Sequence, residues 1–497
     1  MRNARELTSL KIRLEAASGS SPTLHLRLNR ALRAMILDGL LADGSRLPAS
    51  RSLASSLLMS RDTVEAAYAQ LEAEGVVYRR AGSGTFVTPR SNRLQKATSS
   101  HADDGAPARR SADISRRGRT ILDGGGVRDQ LDIRTFAAGV PETRTFPLAT
   151  WERVQRSVVK ESGTGALAHG GPLGLAPLRR AIADYLNHER GARVTADHVM
   201  VLTSSQQALW LCANVLMDEG DQVLTEDPCY HGARKAFDAA GLHCIPVGVD
   251  RDGITTGPFS AISSAATGAK AVYLTPSHQY PTGATLALER RLTILEWART
   301  GRWIIEDDYD SEFHYAGRPT ACLQGLDRHD RTIYIGTFSK SLFPSLRLAY
   351  MVLPEELMQP MAVARTLLDG HTTSINQLTL ARFMEMGHFG VHVRHMRALY
   401  SARLEILSSA VRRELGDLVT LHLPSGGLQM PCLLNTMAED RSIQLAARVG
   451  IDLPGLGRLY ASPPERGGWL MGFAAFTPDE LTGGVARLAS ALRSDAG

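Results

Sequence analysis

The chain has 497 residues, 43% of them hydrophobic and 22% charged, with a formal net charge of +5. That length is too great for one compact domain, and the composition is that of an ordinary globular protein. No apolar run is long enough to span a bilayer, and five scattered cysteines argue against a disulfide framework, a zinc cluster or an oxidising compartment, so a cytoplasmic protein is expected. The charge is uneven. Residues 1–120 carry 20 Lys and Arg against 11 Asp and Glu, and the remainder 36 against 40. A basic front end on a mildly acidic body suits contact with a polyanion.

Residues 1–22 open with "MRNARELTSLKIRLEAA", which lacks the hydrophobic core of a signal peptide and reads as an N-terminal tail. Residues 23–90 are dense in apolar periodicity. Leu28, Leu32, Met35 and Ile36 recur at helical spacing over 24–42, with Gly44 as the stop. Ser50 is placed to cap a short helix running to about Leu58. Ser60 is placed to cap a second, with Val64, Ala67, Tyr68 and Leu71 along it and Gly75 at its end. Two helices joined by a tight turn make a helix-turn-helix, whose second helix presents its first residues to base edges. "VVYRRAGSGTFV" then reads as strand, turn and strand. Arg79, Arg80 and the backbone of Gly82, Ser83 and Gly84 suit phosphates or a minor groove.

Residues 91–130 are rich in Ser, Ala, Gly, Asp and Arg and read as a flexible linker. From 131 to 497 strand-like runs alternate with helical ones. The runs are "HVMVL" (198–202), "DQVLTE" (221–226), "AVYLT" (271–275), "WIIED" (303–307) and "TIYIGT" (332–337). Continuous apolar strands alternating with helices imply an α/β layer with a mostly parallel sheet.

Lys340, in "TFSKSLFPSLR", sits in an apolar surround where an ammonium group is costly unless it is used. One use is a Schiff base with pyridoxal 5′-phosphate (PLP). PLP also needs a carboxylate at its ring nitrogen, a donor to its phenolic oxygen, a flat group on its ring and a phosphate cradle. Asp307 and Tyr309 follow an apolar strand and suit the first two. Tyr230 suits stacking, and His278 or Tyr280 suits the ring substituents. Ser204, Ser205 and Gln206 open a helix and form an anion site, with Thr337, Ser339 and Arg347 completing the cradle.

"LPASRSLA", "SRDTVEAAYAQLEAEG" and "GSGTFV" resemble the GntR type of winged-helix DNA-binding domain, which implies DNA contacts at Arg51, Ser60, Arg61 and Thr63. From 131 onward "FAAGVPETRTFPLATW", "GPLGLAPLRRAIADYLNHERG", "SHQYPTG", "EDDYDSEF" and "GTFSKSLFPSLRL" resemble the aspartate-aminotransferase fold, PLP fold type I. The combination resembles the MocR/GabR family of regulators. That resemblance implies an α+β winged helix, a flexible linker, and a large α/β domain with PLP on Lys340. It also implies binding to half-sites or direct repeats of double-stranded promoter DNA, and a domain-swapped, head-to-tail homodimer. The effector it implies is PLP itself or an amine or amino acid; a membrane has no part. The alternative is a working aminotransferase with an accessory DNA-binding module. Two positions depart from the enzymes' pattern. His169 stands where a Tyr usually reaches the partner's phosphate. Leu470 stands where an Arg clamps the substrate carboxylate, so efficient transamination is not expected.

Overall fold

The structure is a computed structural model that describes residues 4–16, 23–89, 113–127, 132–259, 268–315 and 320–494. The chain divides into two compact units, Met1–Asp113 and Ile114–Gly497.

The first unit comprises α1 (Ala4–Ala16), α2 (Leu24–Leu37), α3 (Ser50–Leu57), α4 (Arg61–Ala73), β1 (Val77–Arg80) and β2 (Gly84–Val87). Its core gathers Leu28, Leu32, Met35 and Ile36 of α2 with Leu53 of α3, Val64, Tyr68 and Leu71 of α4, and Val77 and Val87 of the hairpin. The segment read as a tail contains α1, whose Leu10 and Leu14 enter that core; the charge-and-apolar alternation there is one face of a helix. The first long helix stops at Leu37, short of 42, because Gly39 takes a left-handed conformation with φ +70°. Ser50 is the first residue of α3, with Ala49 at the cap position, and its hydroxyl bonds to Glu65 instead. Ser60 does cap α4: its Oγ accepts from the Thr63 amide at 3.1 Å. The turn between α3 and α4 passes through Leu58, left-handed at φ +54° and 96% exposed.

In the second unit the chain runs α5 (Arg116–Gly124), α6 (Leu148–Ser162), α7 (Ala176–Glu189), β3 (Val199–Leu202), α8 (Ser205–Leu216), β4 (Gln222–Asp227) and α9 (His231–Ala240). It continues through β5 (His243–Asp250), β6 (Gly253–Ile254), β7 (Ala269–Leu274), α10 (Leu288–Ala298), β8 (Trp303–Asp308), α11 (Leu323–Leu326), β9 (Thr332–Thr337) and α12 (Phe338–Ser341). Then follow β10 (Ala349–Val352), α13 (Glu355–Leu368), α14 (Ser374–Glu385) and α15 (His388–Leu415). Last come β11 (Val419–Leu421), β12 (Gln429–Leu434), α16 (Glu439–Arg448), β13 (Gly468–Gly472) and α17 (Pro478–Arg493). Part of the stretch read as linker is thus helical. Ser115 caps α5 and Gly125 ends it, and Arg116 pairs with Glu219 while Lys235 Nζ donates to Gly126 O at 2.6 Å. Residues 91–112 and 128–130 of that stretch lie outside the described residues.

The main sheet has the order β3-β10-β9-β8-β7-β4-β5-β6. β9, β8, β7, β4 and β5 are parallel; β10 and β6 are antiparallel to their neighbours. Helices α8, α9 and α13 cover one face, through Leu209, Phe237 and Met361. Helices α6, α7, α10 and α14 cover the other, through Val154, Ile182, Ile294 and Phe383. Burial on both faces is why these strands read as continuous apolar runs. A second layer, β11-β12-β13 with α15, α16 and α17, has its own core. Residues 136–144 are fastened to it. Glu142 Oε2 accepts from Arg403 Nη2 at 2.9 Å, and the Glu142 amide donates to Tyr400 Oη at 2.9 Å. No helix among the described residues is long and apolar enough to cross a membrane.

Candidate functional site

In the first unit Arg51 and Arg61 are exposed at the starts of α3 and α4. Ser60 and Thr63 are joined to each other, Oγ to Oγ1 at 2.7 Å, as part of the cap. Arg79 is paired with Glu65 at 3.2 Å and Glu72 at 3.0 Å, so two carboxylates of α4 compete for the charge that the sequence offered to phosphates. Arg80 lies over the rings of Tyr78 and Phe86 and stays exposed. Gly82 (φ +74°) and Gly84 (φ +109°) make the wing turn around Ser83, and Arg46 lies against Gly84. Arg46 carried no sequence signal; an isolated bridge to Phe86 brings it to the wing.

In the second unit Lys340 lies in α12, just past the C-terminal end of β9. It is half-buried, because its amine reaches across to the 136–144 segment: Nζ donates to Gly139 O at 2.6 Å. Thr337 caps the same short helix, its Oγ1 accepting from the Ser339 amide at 3.2 Å. On neighbouring β8, strand alternation separates three buried carboxylates. Asp307 faces α8 and accepts from Tyr273 Oη at 2.8 Å through Oδ2, while its buried Oδ1 has no hydrogen-bond partner. Burial pushes its pKa up to about 7. Glu306 and Asp308 face the other way. Glu306 accepts from the amides of Leu323 and Gln324 at 2.9 and 3.0 Å. Asp308 takes a hydrogen bond from Tyr334 Oη at 2.5 Å and one from Arg190 Nε at 3.0 Å, and these hold its carboxyl low despite burial.

Tyr230, Tyr280 and Tyr309 form an edge-to-face chain, with ring centroids 5.6 and 5.9 Å apart. Burial raises the Tyr309 phenol well above its usual range, and the neighbouring Asp310 adds to the rise. His278 is buried with Nδ1 at 2.8 Å from Asp310 Oδ1; burial raises Asp310, opposed by His278 and by Lys340, which marks the lysine as a neighbour. Ser204 caps α8, accepting from the Gln207 amide at 3.2 Å, and Ser205 is half-buried in its first turn. Gln206 Nε2 donates to Gly232 O at 2.9 Å, and its buried Oε1 has no partner. Arg347 is exposed in a left-handed conformation, φ +53°. His169 is exposed and meets His371 at 3.4 Å rather than any residue above. Leu470 is fully buried beside Leu456 and Leu459, against Ala138 and Tyr280.

Sequence reasoning missed several members. Tyr273 read as a strand-core residue, although a buried phenol demands a partner and so carried a signal. Gly139, Arg190 and Gln429 come from segments distant in the chain. Gln279, beside two residues that were named, ties Glu226 at 3.3 Å to the Tyr280 carbonyl at 2.7 Å.

Residues 24–87 match the family described as "Bacterial regulatory proteins, gntR family", and residues 135–454 match "Aminotransferase class I and II". Among curated proteins, the chain is 35% identical to the probable rhizopine catabolism regulatory protein MocR of Rhizobium meliloti, covering 94% of each chain. It is 28% identical to the HTH-type pyridoxine biosynthesis transcriptional regulator PdxR of Corynebacterium glutamicum, covering 94% of this chain and 95% of that one. Among solved structures, the kynurenine aminotransferase of Pyrococcus horikoshii aligns with a TM-score of 0.69 at 25% identity, over 79% of this chain and 98% of that one. The chain belongs to the MocR-type helix-turn-helix transcriptional regulators, a GntR domain joined to an aminotransferase class I and II domain.

Proposed function

We propose that the chain is a cytoplasmic regulator that binds promoter DNA through Arg51, Ser60, Arg61, Thr63 and the wing, and holds PLP in its second unit at Lys340. The observation that carries the PLP reading is an unsatisfied one. Asp307 Oδ1 is buried without a hydrogen-bond partner, one strand away from an amine-bearing side chain. Buried polar atoms left unpaired are costly, so this carboxylate is suited to a group that brings a donor. Asp307 holds a proton at a ring nitrogen. Ser204, Ser205, Gln206, Thr337, Ser339 and Arg347 take the phosphate at the start of α8. Tyr230 and Tyr309 flank the ring and its phenolic oxygen, with His278 and Tyr280 next to them. Bound there, PLP supplies an electrophilic aldehyde carbon to which an amine adds with loss of water.

The large units pair as a homodimer. Helices α8 and α13 pack against each other and expose Trp210, Val363 and Leu367, the last at 85%, an apolar surface suited to a second copy. His169, away from the site of its own chain, serves that of the second copy. Two winged helices then read two half-sites. The signal is an amino compound or PLP itself; the C. glutamicum relative's name, a pyridoxine biosynthesis regulator, supports the second. Leu470 in place of a carboxylate-binding arginine disfavours turnover and favours sensing. Borohydride reduction of PLP-saturated protein followed by peptide mass analysis should place a pyridoxyl group on Lys340, and Lys340→Ala should lose the near-visible absorbance band. A label elsewhere would overturn the assignment.

A further inference from the structure

The orphaned polar atoms of the second unit include one that the cofactor does not need. Gln429, on β12, is 6% exposed, and its Oε1 is buried with no hydrogen-bond partner. β12 and β13 are antiparallel, with Gln429 opposite Gly472 and Pro431 opposite Leu470. Residues two apart share a face of a strand, so Gln429 and Leu470 stand on one face of the small sheet. That face lies against residues 137–139. A Cβ on Gly472 would collide with the Ala137 carbonyl. A Cβ on Gly139, itself left-handed at φ +72°, would sit 3.2 Å from Lys340 Nζ and 3.5 Å from Gln429 Oε1. Gln429 Oε1 and Lys340 Nζ thus both border Gly139, and Leu470 packs on Ala138, next to Gly139 in the chain, and on Tyr280.

We propose that Gln429 and Leu470 select the amine that the site senses, and that this effector is a primary amine carrying a neutral hydrogen-bonding group, a hydroxyl or an amide, where an amino acid carries its carboxylate. This rests on the PLP reading above. An amide offers one acceptor and two donors and no charge. A hydroxyl or amide donor satisfies the orphaned Oε1. A carboxylate in the same place meets a leucine instead of the guanidinium fork that suits it, and is buried without a counter-charge. Arg458, exposed on the turn Gly457–Leu459, is an alternative cation close enough to Tyr280 to act on it. Burial pushes the Tyr280 phenol up to about 12, and Arg458, exposed to solvent, opposes that rise.

The test uses full-length, PLP-loaded protein and a matched set of ligands: L-alanine, L-alaninol and L-alaninamide. Affinity is read by calorimetry and by the change in cofactor absorbance. Alaninol and alaninamide should bind at least about tenfold more tightly than alanine, the worth of one satisfied hydrogen bond at a buried acceptor. Gln429→Leu should erase that preference, and Leu470→Arg should reverse it. Equal or tighter binding of alanine to the wild type would overturn the inference. If that tighter binding disappeared in Arg458→Ala, recognition would lie with that arginine instead. A wild-type protein that shows no cofactor absorbance before any amine is added defeats the PLP reading, and this inference with it.

Discussion

Asp307 and Asp308, neighbours on β8 that face opposite sides of the strand, have opposite fates, decided by the partners each one finds there. Asp308 has Arg190 and Tyr334 and is held low; Asp307 has only Tyr273 and is pushed up to about 7 from 3.8. A raised acid stabilises the fold fully below its unfolded pKa and loses that contribution as pH rises through the folded one. The PLP-free protein should therefore lose, between pH of about 4 and 8, a share of stability that Asp307→Asn keeps, read as the difference in Tm between the two across that range. PLP brings a partner for the charged carboxylate, so its stabilising effect on the wild type should grow toward the upper end of the window. In Asp307→Asn that growth should be absent. A difference in Tm independent of pH would rule out the buried, ionising role of Asp307.

At the scale of elements, the site depends on a segment that is neither helix nor strand. Residues 136–144 bring Gly139 to Lys340, and they include two left-handed residues, Phe136 and Gly139. Phe136 is fully buried in that conformation, a strain of about 1–3 kcal/mol that its packing must hold in place. The anchor is Glu142, bound by Arg403 of α15 and by Arg144 at 2.8 Å. Both Glu142 and Arg403 have side chains no more than 6% exposed. Removing the cation leaves a buried charge partly uncompensated, so Arg403→Ala should cost about 3–5 kcal/mol, seen as a lower urea midpoint. It should also weaken PLP retention, since Gly139 is held by the same anchor. A variant with wild-type midpoint and wild-type PLP affinity would show that the segment is positioned by other contacts.

For the whole molecule, the charge asymmetry and the exposed arginines of α3 and α4 predict salt-dependent DNA binding. Arg61→Ala should weaken operator binding by about 1–3 kcal/mol if it reads a base, and should relax specificity at one position. If it contacts only phosphate, the loss should be uniform across sequences and the salt slope should fall by about 1. Mobility shifts at several salt concentrations on operator and scrambled DNA separate the two. Arg79, already paired with Glu65 and Glu72, should have the smaller effect when replaced.

The fold class and both family domains were legible in the sequence because each depends on local pattern, and Lys340 and Asp307 could be named as site candidates because they follow strand ends. Apolar strands covered on both faces read as continuous runs, a cap such as Ser60 lies within three residues of the amide it satisfies, and catalytic-type residues follow strand ends. The helix Ala4–Ala16 was misread as tail, since a short amphipathic stretch acquires its order only from the core it joins. Arg190 under Asp308, the Glu142 anchor, and Gln429 beside Lys340 were beyond the sequence. Arg190 and Asp308 stand 118 positions apart, Glu142 and Arg403 261, and Gln429 and Lys340 89, and no local spacing records which distant segment will close over a strand end. Tertiary packing alone decided which polar atoms were paired and which were left without a partner.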